Sequence, residues 1–179
     1  MRHFLSGTLL LLTLLVPSSA MAQPLKLDDL TPYLQDQSQR HSADIASTVG
    51  VGTGIAIDTW NSWDAPNRRR ALLTEGIRLG VTVAAGKIVK KLVPRERPCS
   101  WFAHSIPEGC GSSGNNNSYF SLHTALAFST VPHGAGKLGL TFALVGSSEV
   151  GALRIAAAKH WLTDVLGGAA VGIATSYIR

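Results

Sequence analysis

His160 and Asp164 lie four residues apart near the end of the 179-residue chain, in the run Leu153-Arg154-Ile155-Ala156-Ala157-Ala158-Lys159-His160-Trp161-Leu162-Thr163-Asp164. On one helix that spacing sets the two side chains about 40° apart on a shared face. The carboxylate can then accept a hydrogen bond from one imidazole nitrogen, which fixes the tautomer and leaves the other nitrogen to meet a substrate. Arg154 adds a permanent cation whose planar fork fits phosphate or carboxylate oxygens. A chance polar pair on an amphipathic helix has the same spacing, so these residues gain meaning only from partners elsewhere in the chain.

Two earlier clusters supply such partners. In Lys90-Lys91-Leu92-Val93-Pro94-Arg95-Glu96-Arg97-Pro98, the prolines end a helix and hold the next segment extended. Lys90 from the helix end and Arg97 from the loop then converge. A basic helix C-terminus favoured by the helix dipole is the plain alternative. In Tyr119-Phe120-Ser121-Leu122-His123-Thr124 a helix opens after a polar loop. Ser121 can cap that helix or donate its hydroxyl to an oxyanion, the first backbone N–H groups face outward, and His123 can serve as an acid. A capped helix with an exposed histidine is the alternative here. Taken together the set holds three cations, two histidines and one carboxylate, without a metal-ligand cluster. Phosphoryl transfer needs such a kit: fixed positive charge on the phosphoryl oxygens, one histidine to attack and one to protonate the leaving oxygen.

Lys-x6-Arg-Pro, Ser-x-His-Thr and Arg-x5-His-x3-Asp, in this order, resemble the three signature motifs of the type 2 phosphatidic acid phosphatase superfamily. That superfamily includes bacterial non-specific acid phosphatases, membrane lipid phosphatases and vanadium-dependent haloperoxidases. The resemblance runs from about Lys87 to Gly172. It implies an all-α, compact helical bundle and a phosphatase acting on phosphomonoesters or lipid phosphates. It implies His160 as nucleophile forming a phosphohistidine, Asp164 orienting it, and His123 as general acid and then base. Lys90, Arg97, Ser121, the Leu122 backbone N–H and Arg154 would bind the phosphate. No metal or cofactor is implied; vanadate would inhibit, or serve as cofactor in the haloperoxidase alternative. The family's second motif usually reads Pro-Ser-Gly-His against Phe120-Ser121-Leu122-His123 here, and two departures bear on the phosphate site: Leu122 where the family has Gly and Leu153 where it has Ser. Neither change removes a catalytic group, so the expectation is activity with a reshaped pocket; a weakened, anion-binding homologue is the other outcome.

Around these motifs the chain has a simple layout. Arg2 and His3, an apolar stretch from Phe4 to Val16 and the Ala20-Met21-Ala22 ending form a secretory signal over 1–22, with an uncleaved anchor as the rival reading. Residues 23–179 would form a single helical domain of 179 − 22 = 157 residues, and export would place it in the periplasm or outside the cell. With 16 Lys+Arg against 11 Asp+Glu, the balance is +5, or 15 − 11 = +4 once Arg2 is removed. This suits a small anionic substrate, a lipid headgroup or contact with a membrane surface. It does not suit nucleic acid, because Arg68-Arg69-Arg70 is the only basic run and reads as a solvated helix start. Cys99 and Cys110 form the only cysteine pair and, in an oxidising compartment, a disulfide. The bridge would staple a loop over 98–119.

The hydrophobic pattern predicts a polar lead-in over 23–39 and helices over 42–60 and from Asp64, as N-cap, to Val93. Further helices are expected over 121–131, over 137–158 in one piece or two, and over 160–178. On an unbroken helix Arg154 and His160 would sit about 120° apart, so either the helix breaks between them or the arginine reaches around. His41, His104 and His133 match no motif. Trp101, Phe102 and Trp161 could line a leaving-group pocket or pack the core. The best candidate for a membrane span, Val165 to Ile178, is too short and glycine-rich, and Glu149 and Lys137 interrupt the other long run, so the expectation is a protein that is soluble or lies on a membrane without crossing it.

Overall fold

The structure is a computed structural model that describes residues 24–30, 32–106, 108–110, 114, 116–132 and 136–179. Residues 1–22, the expected secretory signal, and His133 lie outside the described residues. A short 3-10 turn, Lys26–Leu30, precedes six helices: α1 (Gln37–Trp63), α2 (Arg68–Leu92), α3 (Pro98–Trp101), α4 (Leu122–Ser129), α5 (Lys137–Ala156) and α6 (Leu162–Ser176). Among the described residues there is no strand, only an isolated bridge between Arg95 and Asn117. The all-α bundle expected from the sequence is the architecture observed.

Short α4 sits at the centre. It packs against α1, α2, α5 and α6, and these four close a ring around it in the order α1, α2, α6, α5. Centrality explains its composition: Thr124, Ala125, Ala127, Phe128 and Ser129 are all buried. Glycines on α6 let α4 come close. A Cβ at Gly168 would stand 2.5 Å from the Ser121 carbonyl oxygen, and one at Gly172 would stand 2.4 Å from that of Ala125. Backbone cannot yield there as a flexible side chain would.

Three boundaries differ from expectation, each for a local reason. Asp64 does not start α2; its N–H still bonds the Trp60 carbonyl at 3.1 Å, so it closes α1, and Asn67 stands at the N-cap of α2. Residues 98–119 contain the single turn α3, stapled by the expected Cys99–Cys110 disulfide. The last helix begins at Leu162, so His160 precedes it. The break comes from Ala158, at φ +55°, with Lys159 N–H bonded to Arg154 O at 3.1 Å and Ala158 N–H to Ile155 O at 2.8 Å. These are the two bonds of a Schellman helix end, built with alanine where glycine is usual. Of the two readings left open for Arg154 and His160, the helix break is the one found.

Gly172→Val should overpack the α4–α6 contact and cost about 1–3 kcal/mol, read as a lower denaturant midpoint in equilibrium unfolding. An unchanged midpoint would show that the contact is looser than described.

Candidate active site

All three motifs meet at one end of the ring. The C-terminal turns of α2 and α5 carry Lys90 and Arg154, the N-terminal turns of α4 and α6 carry His123 and Asp164, and the joining loops carry Arg97 and His160. This end of α4 presents its free N–H groups and positive dipole terminus.

Asp164 is the third residue of α6 and is wholly buried. Its Oδ2 accepts the Trp161 N–H at 2.9 Å and a short bond from the Ser118 hydroxyl, while its Oδ1 accepts Arg95 Nη1 at 2.6 Å. His160 is 2% exposed, with Nδ1 facing Asp164 Oδ2 at 3.6 Å, beyond hydrogen-bond range. The pair is therefore brought together across a turn, not on one helix face as the four-residue spacing suggested. On its other edge, His160 Nε2 lies 3.4 Å from Arg97 Nη1. A guanidinium can only donate, so Nε2 presents its lone pair and the proton belongs on Nδ1, beside the carboxylate.

The cations surround this imidazole. Arg97 Nη1 donates to the Lys159 carbonyl at 2.7 Å and Nη2 to that of Asn117 at 3.1 Å; Lys90 Nζ donates to the same Asn117 oxygen at 2.5 Å. Arg154 Nη1 pairs with Asp44 of α1 and bonds Ser47 Oγ at 3.1 Å. The Nε atoms of Arg97 and Arg154 are buried with no hydrogen-bond partner among the described residues. Such donors, held in a buried positive pocket, suit an oxyanion. His123 is half-buried, its Nε2 3.5 Å from Thr48 Oγ1.

Burial and this positive field act on the ionisable groups in the same direction. Burial first, then Arg97, Arg154 and Lys90, holds His160 well below the usual histidine value, which favours the neutral imidazole. Burial and Arg154 lower His123 to about 4. Burial and Arg154 also lower Arg97, to about 10, which still leaves it charged.

Ser121 is the N-cap of α4, but its hydroxyl is engaged within the fold, accepting from Thr124 Oγ1 at 2.9 Å. Leu122 has ordinary helical backbone, since Ala158 is the only non-glycine residue with positive φ among the described residues. Its side chain turns onto α2, where a Cβ at Gly86 would stand 2.9 Å from Leu122 Cδ1. Leu122 thus leaves its N–H at the helix start and packs its bulk elsewhere. Trp161 and Phe102 pack together, with rings 5.8 Å apart, and Trp161 donates to the Glu96 carbonyl at 2.7 Å; Trp101 is exposed. Neither His41 nor His104 joins the site, and both are exposed.

Four residues of the site were not singled out from the sequence. Arg95 is fully buried and spans Asp164, Thr163 and Asp28. Asp28, in the 3-10 turn, also accepts the Thr163 N–H at 3.0 Å and so caps α6, whose own N-cap residue is a tryptophan. Ser118 and Asp44 complete the set. Arg95 stood in plain view between two prolines, but residue type alone does not say which of two neighbouring arginines turns toward substrate. Asp44 lay in a segment whose small residues signalled only packing.

The model of the PAP2 superfamily matches residues 72–179. Neither the curated proteins nor the solved structures compared with the chain yield a match. Arg95→Met would leave Asp28 and Asp164 as buried carboxylates without their cation. It should destabilise the fold by about 3–5 kcal/mol in equilibrium unfolding, whereas a change below about 1 kcal/mol would contradict the buried pairing. The family match covers more than half of the chain and includes every motif residue of the pocket, and the chain belongs to the PAP2 superfamily.

Proposed function

We propose that this protein is an exported phosphatase that hydrolyses phosphomonoesters through a phosphohistidine, without a metal ion. The observation that carries the reading is the His160 imidazole held between a buried carboxylate and a buried arginine. His160 Nε2 attacks phosphorus as the ester P–O bond breaks, and protonated His123 passes its proton to the leaving oxygen. Asp164 offsets the charge that develops on the ring. In the second half, His123 takes a proton from water, the hydroxide attacks phosphorus, and the P–N bond breaks with its electron pair returning to Nε2. Lys90, Arg97 and Arg154 neutralise the phosphoryl oxygens throughout, the role that fixed charge plays in phosphoryl transfer.

An apolar groove of about 650 Å³ runs between α1 and α5, its walls starting at Ala46 and Leu153, the sequence neighbours of Ser47 and Arg154. Leu153, which stands where the family has serine, therefore lends the site an apolar wall. The groove supports a leaving group with an apolar part, including a lipid alcohol. A panel of lipid phosphates, nucleotides and sugar phosphates tests this by kcat/KM; a preference for the nucleotides would reject it.

His160→Ala should lower kcat for p-nitrophenyl phosphate by at least about 10⁴-fold, and His123→Ala by about 10²–10⁴-fold. Vanadate should inhibit the unaltered protein. Full turnover in His160→Ala would end the mechanism. The low pKa of His123, about 4, carries its own signature. The general acid must be protonated, so kcat/KM should fall as pH rises through about 4. Bound phosphate dianion offsets the surrounding cations, so the corresponding limb in kcat should lie at higher pH. A kcat/KM limb at or above the ordinary histidine range would contradict the proposal.

A further inference from the structure

Polarity in this bundle is turned inside out. Between the helices, Thr82 bonds Thr175 at 2.9 Å, Glu75 accepts from Thr59 at 2.6 Å, and Arg78 pairs with Asp58. The outward faces are apolar. On α2, Leu73, Ile77 and Val81 are exposed along the stretch between Arg70 and Lys87, whose only charges, Glu75 and Arg78, turn inward. On α1, the outward face from Ile45 to Trp63 includes Val49, Ile57 and Trp60, the last 74% exposed. On α5, Leu138, Phe142 and Val145 face outward, with Phe142 69% exposed; on α6, Leu166 and Ile173 do. Apolar surface in water costs roughly 25 cal/mol per Å², so faces this extensive call for a cover.

The placement of these faces says what the cover is. They lie on all four helices of the ring around α4. A second copy or a docked segment covers one side of a bundle, whereas a lipid bilayer covers every side at once. The α1 face from Ile45 to Trp63 spans roughly 28 Å at the rise of a helix, close to the roughly 30 Å of bilayer hydrocarbon. Helix α5 is long and apolar enough to cross a membrane, contrary to the expectation from sequence. That expectation treated Lys137 and Glu149 as interruptions. Lys137 is the first residue of α5, and exposed Glu149 is roughly 7 Å along the axis from Arg154 at the site end, within reach of headgroups.

The two ends differ as the two faces of a membrane do. Away from the site, Arg68, Arg69, Arg70, Lys137 and Arg179 gather with exposed Trp60, Trp63 and Tyr177, the cations and interfacial aromatics expected at a retained, positively charged side. At the site end stands the Cys99–Cys110 disulfide, which belongs to an oxidising, exported side. Charge and redox chemistry give the same orientation independently.

We infer that the helical ring is immersed in a lipid bilayer, with hydrocarbon against the outward faces of α1, α2, α5 and α6. The phosphate pocket opens at the exported surface, and the Arg68–Arg70 end lies on the other side. This inference does not rest on the phosphatase chemistry. The test is to express the full chain in bacteria and wash the membranes with high salt and then with alkaline carbonate. The protein should stay in the membrane until detergent is added. A cysteine placed at Lys91 should react with an impermeant maleimide on intact spheroplasts, and one at Arg69 only after permeabilisation. Ile77→Asp and Phe142→Asp, harmless on a water-facing surface, should each sharply reduce the protein retained in the membrane. Recovery as a soluble monomer, as a soluble dimer or in the carbonate wash would each overturn the inference. So would unchanged membrane retention of both aspartate variants, or labelling of both cysteines from one side.

Discussion

The rest of the pocket depends on one buried carboxylate. Asp164 takes hydrogen bonds from Arg95, Ser118 and the Trp161 N–H, and it faces His160. Each of these belongs to a different stretch of chain: the segment after α2, the loop before α4, and the turn before α6. A lone buried carboxylate would be far too costly to keep charged, and Asp164 is tolerated because donors enclose it. Conversely, those stretches hold their relative positions because the carboxylate needs all of them. Arg95 extends the network to Asp28, which caps α6, so a residue of the N-terminal lead-in helps set the helix that carries Asp164.

A second level of structure holds the turn that carries His160. The Schellman end of α5 turns the chain at Ala158, whose carbonyl accepts the Cys99 N–H at 2.9 Å, and Lys159 donates to the Cys110 carbonyl at 2.8 Å. The disulfide loop therefore clasps the turn from which His160 projects, while Arg97, two residues before Cys99, reaches back to the Lys159 carbonyl. Central α4 supplies His123 from its first turn. Its short length is no defect, because all four neighbouring helices bury it. Arg97 stays charged, while burial and the surrounding cations push both histidines below their usual value. That division of charge suits a neutral nucleophile attacking an anionic ester.

Much of this was legible in the chain, for physical reasons that also set the limits. Glycine, proline and cap residues mark helix ends, so α2's end before Pro94 and Ser121 at the start of α4 could be read directly. The Ala158 turn could not, because alanine carries no signal for positive φ. The spacing of His160 and Asp164 paired two residues that the fold does set face to face, but a turn, not a helix face, joins them. Leu122 was legible only as a departure from the family pattern; Gly86 on α2 shows where its side chain goes. Arg95 and Asp44 were missed because their roles arise from what the fold places opposite them. The apolar exterior was hidden for a related reason. Glu75 and Arg78 lower the average hydropathy of α2, and only the fold shows that they turn inward.

The proposed mechanism requires that phosphate pass through His160. Mixing the protein with a phosphomonoester, quenching within a turnover under alkaline conditions that preserve phosphoramidate bonds, and mapping the peptides by mass would test it directly. One acid-labile phosphoryl group is expected on the peptide holding His160, formed and lost at rates compatible with kcat and missing from His160→Ala. Steady hydrolysis with no phosphoryl group on that peptide, or with one on another residue, would contradict it.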